Sequence, residues 1–266
     1  MKYYPIIIFC FNRPDHLKNL LKSIYLNKNF HKHQYYFFCD FYKKKMDKKN
    51  NIKVKNIILN LNKIKKKKII IRKKNFGLSE NIINGINHVF KKYNAAIILE
   101  DDLILNRHVL NYFNKSLFTY SRKKKIFSVS AYSYIKNYKF NFISGLYEAR
   151  RHSSWGWGTW KHKWDKIDFY DLKFCKKKNK NFIKLGKDMN LMMWAQNNKL
   201  INSWAIRFNF YCSFFNLLSI QPRYTMIKNM GNDFSGNHKS FRFNINERFD
   251  QNYNPLVKNK IKKKCF

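Results

Sequence analysis

Acidic residues are scarce in this chain: 15 of 266 are Asp or Glu, against 55 Lys plus Arg, for a formal charge of +40. Long apolar runs are missing as well. No stretch approaches the roughly 18 consecutive apolar residues of a membrane-spanning helix. Met1 to Pro5 leads straight into a strand-like run and carries no signal-peptide pattern. The expected location is therefore the cytoplasm. The five cysteines (Cys10, Cys39, Cys175, Cys212, Cys265) form no C-x-x-C pair and no Cys/His spacing suited to zinc, so they read as reduced, mostly buried thiols. No Gly/Pro/Ser linker divides the chain and no internal repeat is visible. Disorder is excluded by composition: 45% hydrophobic and 18% aromatic residues are ample for a substantial core.

The positive charge alone suggests nucleic acid, and lysine runs at 43–45, 65–68, 123–125, 176–178 and 262–264 add to that suggestion. The bias is broad, however. Lys far outnumbers Arg, and Asn, Ile, Phe and Tyr are inflated too, as an A+T-rich genome would produce without selection. Helix-turn-helix, zinc-finger and aromatic RNA-binding signatures are absent. No nucleic-acid partner is expected; an anionic membrane surface, met peripherally on the inner face of the plasma membrane, is a candidate, and anionic substrates would be favoured.

The first half alternates strand and helix patterns. Tyr4 to Phe11 is a near-continuous apolar run, and Asn12 to Asp15 forms a turn in which Asp15 can cap a helix with apolar positions Leu17, Leu20, Leu21 and Ile24. Strands are predicted over 34–39 and 68–72. A polar stretch at 43–68 holds a helix, or a helix and short strand around 57–64. A helix with Ile82, Ile83, Ile86, Val89 and Phe90 on one face follows Asn75 to Ser79. The second half differs in texture. Helices are predicted over 109–120 and 182–200, and strands over 126–131 and 217–221. Residues 145–164 read as a loop rich in Trp, Gly, His and Arg, and 204–211 carries aromatic alternation.

The most informative segment is Ala95 to Leu103. Its apolar run lacks polar alternation, as in a strand buried on both faces, and ends in Glu100, Asp101 and Asp102. Ligands of open α/β sheets bind at such strand ends. Carboxylates there can hold Mg²⁺ or Mn²⁺ against a diphosphate, with waters and phosphates completing the shell. Elsewhere, Trp155, Trp157 and Trp160 alternate with Gly156 and Gly158 in a spacing that fits neither a helix stripe nor a clean strand. Aromatic faces of this kind can wall a sugar site. Arg150, Arg151 and His152 are candidates to meet a diphosphate or an anionic acceptor.

Three segments in order, Pro5 to Pro14, Asn75-x-Gly77-Leu78-x-x-Asn81-x-x-x-Gly85, and Ile98 to Asp102, resemble the GT-A glycosyltransferases. The likeness is to bacterial sugar transferases of surface-polysaccharide loci and, more distantly, to the N-acetylglucosaminyltransferase that starts complex N-glycans. Ser154 to Trp160, and Asn229-Met230-Gly231 with Ser235, Gly236 and His238, occur where that family has an acceptor-side loop and a mobile C-terminal loop.

The resemblance implies an α/β fold: a GT-A, Rossmann-like, mostly parallel central sheet flanked by helices. It implies one domain over 1–266, with a nucleotide-sugar half at about 1–108 and an acceptor half at about 109–266. It implies transfer of a hexosyl or N-acetylhexosaminyl group from a nucleoside diphosphate donor, UDP favoured, to a glycan or lipid-linked glycan. The reaction would be metal-dependent, with Mn²⁺ or Mg²⁺, and inverting. Donor contacts would come from Phe11, Asn12, Arg13, Asp40, Asn75, Gly77, Asn81, Glu100, Asp101, Asn229 and His238, and the metal would sit on Asp102. Trp155, Gly156, Trp157 and Arg151 would face the acceptor. Asp188 would be the general base, although Gly186-Lys187-Asp188-Met189 offers one acid where the eukaryotic relative has a pair, so Glu148, Asp165 and Asp168 stay open as alternatives. Two other classes are also open: a nucleotidyltransferase, which normally carries an N-terminal glycine-rich loop that 11–14 lacks, and a non-catalytic basic nucleic-acid binder.

Overall fold

The computed structural model describes residues 2–134, 145–171, 179–231 and 249–256. Its centre is an eight-stranded sheet in the order β3-β2-β1-β4-β8-β6-β9-β7. β1 (Ile6–Cys10), β2 (Tyr35–Cys39), β3 (Lys67–Ile71) and β4 (Ala95–Glu100) are mutually parallel. β8 (Trp157–Trp160) runs antiparallel between β4 and β6 (Ile126–Ser130), β9 (Leu218–Pro222) is parallel to β6, and β7 (Leu146–Ala149) closes the edge antiparallel. Strands from both halves of the chain thus share one sheet. A second, two-stranded sheet pairs β5 (Leu103–Leu105) with β10 (Ile227–Asn229).

β1, β2 and β4 are buried on both faces because helices cover both. Ile6, Ile8 and Cys10 face a layer made by α1 (Pro14–Tyr25), α2 (Lys48–Leu59) and α4 (Val109–Thr119). Ile7 and Phe9 face α3 (Gly77–Phe90), the short α5 (Lys161–Trp164) and α8 (Trp204–Phe214). Pro14 opens α1, where its missing N–H costs nothing, and Leu17, Leu20, Leu21 and Ile24 form the buried stripe. Asp15 does not cap this helix. It lies inside the first turn, paired with Lys18.

The segment 145–164, expected as a loop, contains β7, β8 and α5. A strand of four residues gains its identity from pairing, and β8 is held on both sides, by β4 and β6. The helix expected over 182–200 is two, α6 (Lys180–Ile183) and α7 (Lys187–Asn197), divided at Gly186, whose φ of +140° interrupts helical geometry. The aromatic alternation at 204–211 belongs to α8, capped by Ser203, whose hydroxyl accepts the Ile206 N–H at 3.3 Å. Cys10, Cys39 and Cys212 are buried free thiols; Cys175 and Cys265 lie outside the described residues.

At the start of the sheet, His33 Nδ1 bonds the Tyr4 carbonyl at 2.7 Å and its Nε2 meets the Asn114 amide at 3.3 Å. That network assigns the neutral Nδ1–H tautomer. Burial pushes the His33 imidazole down to about 4. The unfolded chain takes up a proton near pH 6.5 that the folded chain refuses, so this contribution is complete above pH 6.5 and fades as pH falls toward 4. His33 alone should make the protein about 2 kcal/mol less stable at pH 5 than at pH 7. Urea midpoints at the two pH values should show a smaller drop for His33→Gln.

Candidate active site

The chain builds the sheet outward from β1 to β2 and β3, then crosses back to place β4 on the other side of β1. A crevice opens where the direction reverses, at the carboxyl ends of β1 and β4. Residues 11–13 leave β1 here, and residues 100–102 end β4. Arg13 bridges the two: Nη2 lies 2.6 Å from Asp101 Oδ1 and Nη1 lies 3.0 Å from Asp102 Oδ2. The Phe11 N–H donates to Asp101 Oδ2 at 3.1 Å. Both oxygens of the buried Asp101 are therefore committed, and this residue, expected at the donor, is an internal brace.

Three carboxylates stand against one guanidinium. Burial, then the charge of Asp102, pushes the Glu100 carboxyl well above the usual carboxylate range against the pull of Arg13. Burial raises Asp101 too. Burial opposes the Arg13 charge, but Asp101, Asp102 and Glu100 outweigh it, and the guanidinium stays protonated. The cluster is left short of positive charge. Asp102 Oδ1 is buried and has no hydrogen-bond partner, a costly state that a bound cation would relieve. The residues therefore fit a divalent metal at Asp102. Among the described residues no three His, Cys, Asp or Glu side chains gather into a metal cage, so substrate oxygens and water would complete the shell.

β10 brings the chain back over this cluster. The Met230 N–H donates to the Asp102 carbonyl at 2.8 Å, Asn229 Oδ1 accepts the Gly231 N–H at 2.8 Å, and His16 Nε2 lies 3.2 Å from the Met230 carbonyl. Gly231 is packed so closely that a Cβ would lie 2.2 Å from Asp102 Oδ2 and 3.0 Å from Arg13 Nη1. His16 was not singled out from sequence, though its spacing of three from Arg13 places both near one helix face. His238 lies outside the described residues.

The other expected donor residues form a scaffold beside this cluster. Asp40 Oδ1 accepts the N–H groups of Phe41 and Phe76, both at 2.9 Å, and Oδ2 accepts those of Gly77 at 2.9 Å and Asn75 Nδ2 at 3.3 Å. Its oxygens cap the start of α3 instead of facing an open pocket. Asn75 also donates to the Phe41 carbonyl, Gly77 supplies a φ of +74°, and buried Asn81 accepts from Arg72 Nε at 3.0 Å. Asn12 is turned toward Asp47, at 2.9 Å. Asn51, which sequence reading passed over, donates to the carbonyls of Phe11 at 2.7 Å and Asp40 at 2.8 Å, tying the ends of β1 and β2 together.

The expected acceptor residues separate. Trp157 is 1% exposed and stacks on Trp204 at 4.9 Å, in the core with Trp164 and Phe208, so it walls no sugar site. Gly156, with φ +56°, is a packing residue: a Cβ would fall 1.9 Å from Ile227 Cδ1, and its absence lets β10 lie close. Trp155 is half-buried, edge-on to Tyr132 at 4.8 Å. Arg151 and Asp188 form a bidentate ion pair at 3.0 and 2.5 Å. Each Asp188 oxygen accepts one guanidinium N–H and keeps a second lone pair, and the side chain is more than half exposed. Of the alternatives, Asp165 pairs with Lys161, Asp168 Oδ1 accepts the N–H groups of Tyr170 and Asp171, and Glu148 is exposed on the edge strand β7. No hydrogen bond or ion pair among the described residues joins any of these acids to the triplet.

Three substitutions test these assignments. Asp101→Ala, which removes the nearer partner of Arg13 and strands the Phe11 N–H, should lower stability by about 3 kcal/mol in urea unfolding, near the range for breaking a buried pair. Trp157→Ala should cost about 3–5 kcal/mol as a buried aromatic truncation, whereas Trp155→Ala should cost well under half of that.

No family model matches the chain, and no curated protein matches it in sequence. Solved structures do. Residues 1–349 of TarS from S. aureus align with a TM-score of 0.51 and 9% identity over 88% of this chain and 62% of that one. A longer TarS structure gives 0.51 and 9% over 88% and 38%. Galactosyltransferase LgtC, solved with donor and acceptor sugar analogs, gives 0.43 and 10% over 79% and 70%. The chain thus spans about 62% of the shorter TarS structure. At such identities the likeness is one of architecture, and that architecture is the GT-A-like glycosyltransferase fold, a mixed α/β sheet flanked by helices.

Proposed function

We propose that the chain is a metal-dependent, inverting glycosyltransferase that moves a sugar from a nucleoside diphosphate donor, UDP favoured, to a glycan or lipid-linked glycan of a surface polysaccharide. One observation carries this reading: the buried, unpartnered Oδ1 of Asp102, beside Arg13, at the point where a GT-A-like sheet reverses its order. Asp102 would hold Mn²⁺ or Mg²⁺, which when bound supplies positive charge for the leaving diphosphate. Arg13 keeps Asp102 oriented, and Asp101 holds Arg13. The bare backbone at Gly231 lets the main chain after β10 pack against Asp102 and Arg13.

Inversion needs a base that takes the acceptor hydroxyl's proton as its oxygen attacks opposite the diphosphate. Asp188, oriented by Arg151, would take that proton on a lone pair that the ion pair leaves open. Arg151 would then hold the base Asp188 in place and face the acceptor.

Nucleotide release from a panel of UDP-, GDP-, dTDP- and CMP-sugars tests the reading. One nucleotide should be released with Mn²⁺ and not with EDTA, and Asp102→Ala should lower the rate by at least about a hundredfold. Pyrophosphate release from a nucleoside triphosphate and a sugar phosphate would instead indicate nucleotidyl transfer. Absence of turnover and of any donor-induced thermal shift would overturn the transferase reading.

A further inference from the structure

α7 is apolar on two opposite faces. Met189 and Met193 point inward, onto Phe182, Ile206 and Phe210. Directly opposite, Lys187, Leu191, Trp194 and Asn198 follow one another at helical spacing in a stripe turned to solvent. Leu191 is 67% exposed and Trp194 58%. Ile183, just before the helix, and Leu200, just after it, are similarly open. A helix that is apolar on both sides has a second apolar environment to meet.

Charge identifies that environment. Between 180 and 201 the chain carries Lys180, Lys184, Lys187 and Lys199, all exposed, and one acid, Asp188, which Arg151 neutralises. A second copy of the chain would bring the same positive charge to the same face and be repelled. An anionic bilayer offers acyl chains to Leu191 and Trp194 and negative headgroups to the lysines, and Trp partitions well to that boundary. Among the described residues no helix is long and apolar enough to cross a membrane, so the contact would lie at the surface. Arg151 anchors α7 to the body of the protein: it holds Asp188 in the helix's first turn, while its own carbonyl accepts from buried Gln221 on β9 at 2.6 Å. A docked α7 is thereby fixed relative to the sheet.

We propose that the outer face of α7 is a membrane-docking surface that seats Leu191 and Trp194 in an anionic bilayer, with Lys184 and Lys187 against its headgroups. Vesicle binding is measured without turnover, so this proposal and the transferase reading fail separately.

Sedimentation with phosphatidylcholine vesicles, with and without phosphatidylglycerol, is the test. Wild type should bind the anionic vesicles, and Leu191→Ser/Trp194→Ser, which leaves the net charge unchanged, should bind at least tenfold more weakly with an unaltered melting temperature. Lys184→Gln/Lys187→Gln should lose roughly fivefold per lysine at low salt. The proposal is overturned if Leu191→Ser/Trp194→Ser binds like wild type, since the overall charge then suffices, or if wild type ignores the anionic vesicles. It is overturned equally if sedimentation equilibrium shows a wild-type dimer that Leu191→Ser/Trp194→Ser abolishes, which would make the face a self-interface.

Discussion

The guanidinium of Arg13, set between Asp101 and Asp102, couples the ends of the two strands on which the candidate site is built. Without it, buried carboxylates would face one another at the end of β4 with no charge to offset their repulsion, and the turn after β1 would lose its fixed distance from them. Buried ion pairs contribute little net stability once desolvation is counted. What this one gives is position. Asp101 spends its other oxygen on the Phe11 backbone, so the connection is made twice, once through a side chain and once through the main chain. Asp40 does similar work next door, joining the end of β2 to the start of α3 by accepting the main-chain N–H groups of Phe41, Phe76 and Gly77.

This arrangement is acidic inside a strongly basic molecule. Positive charge spread over the surface suits anionic ligands at a distance, while the carboxylates at the crevice suit a cation at short range. The proposed nucleoside diphosphate and its metal would answer both demands together, because the complex is negative as a whole and positive at its centre. Arg151 and Asp188 repeat the pairing on a smaller scale, with the difference that their pair is open to solvent and can be exchanged.

Legibility in the sequence followed burial. β1, β2 and β4 are covered on both faces, and their continuous apolar runs located them to within one or two residues at most ends. β8 could not be read because its four residues include a glycine and owe their conformation to neighbours distant in sequence. α8 is buried nearly all round, which erases the polar face that marks a helix. The break at Gly186 hid within a continuing hydrophobic period, Phe182, Leu185, Met189, Met193. At the site, the acidic triplet stood out because acid is rare elsewhere. Side-chain direction did not: Trp155 and Trp157 look alike in sequence, yet one is half-buried and the other is sealed in the core. Asp40 was legible as a residue with a task, but its partners are backbone groups, which no sequence displays.

Gly231 meets Asp102 and Arg13 through bare main chain. Peptide groups are the same whatever residue bears them, and any side chain at this position would collide with the carboxylate it covers. This wall of the crevice is therefore closed to variation: descendants of the protein could not adjust ligand preference here by ordinary substitution. Diversification would have to run through positions that show a side chain to the crevice, and the part of the site nearest Asp102 would stay constant while its surroundings drift.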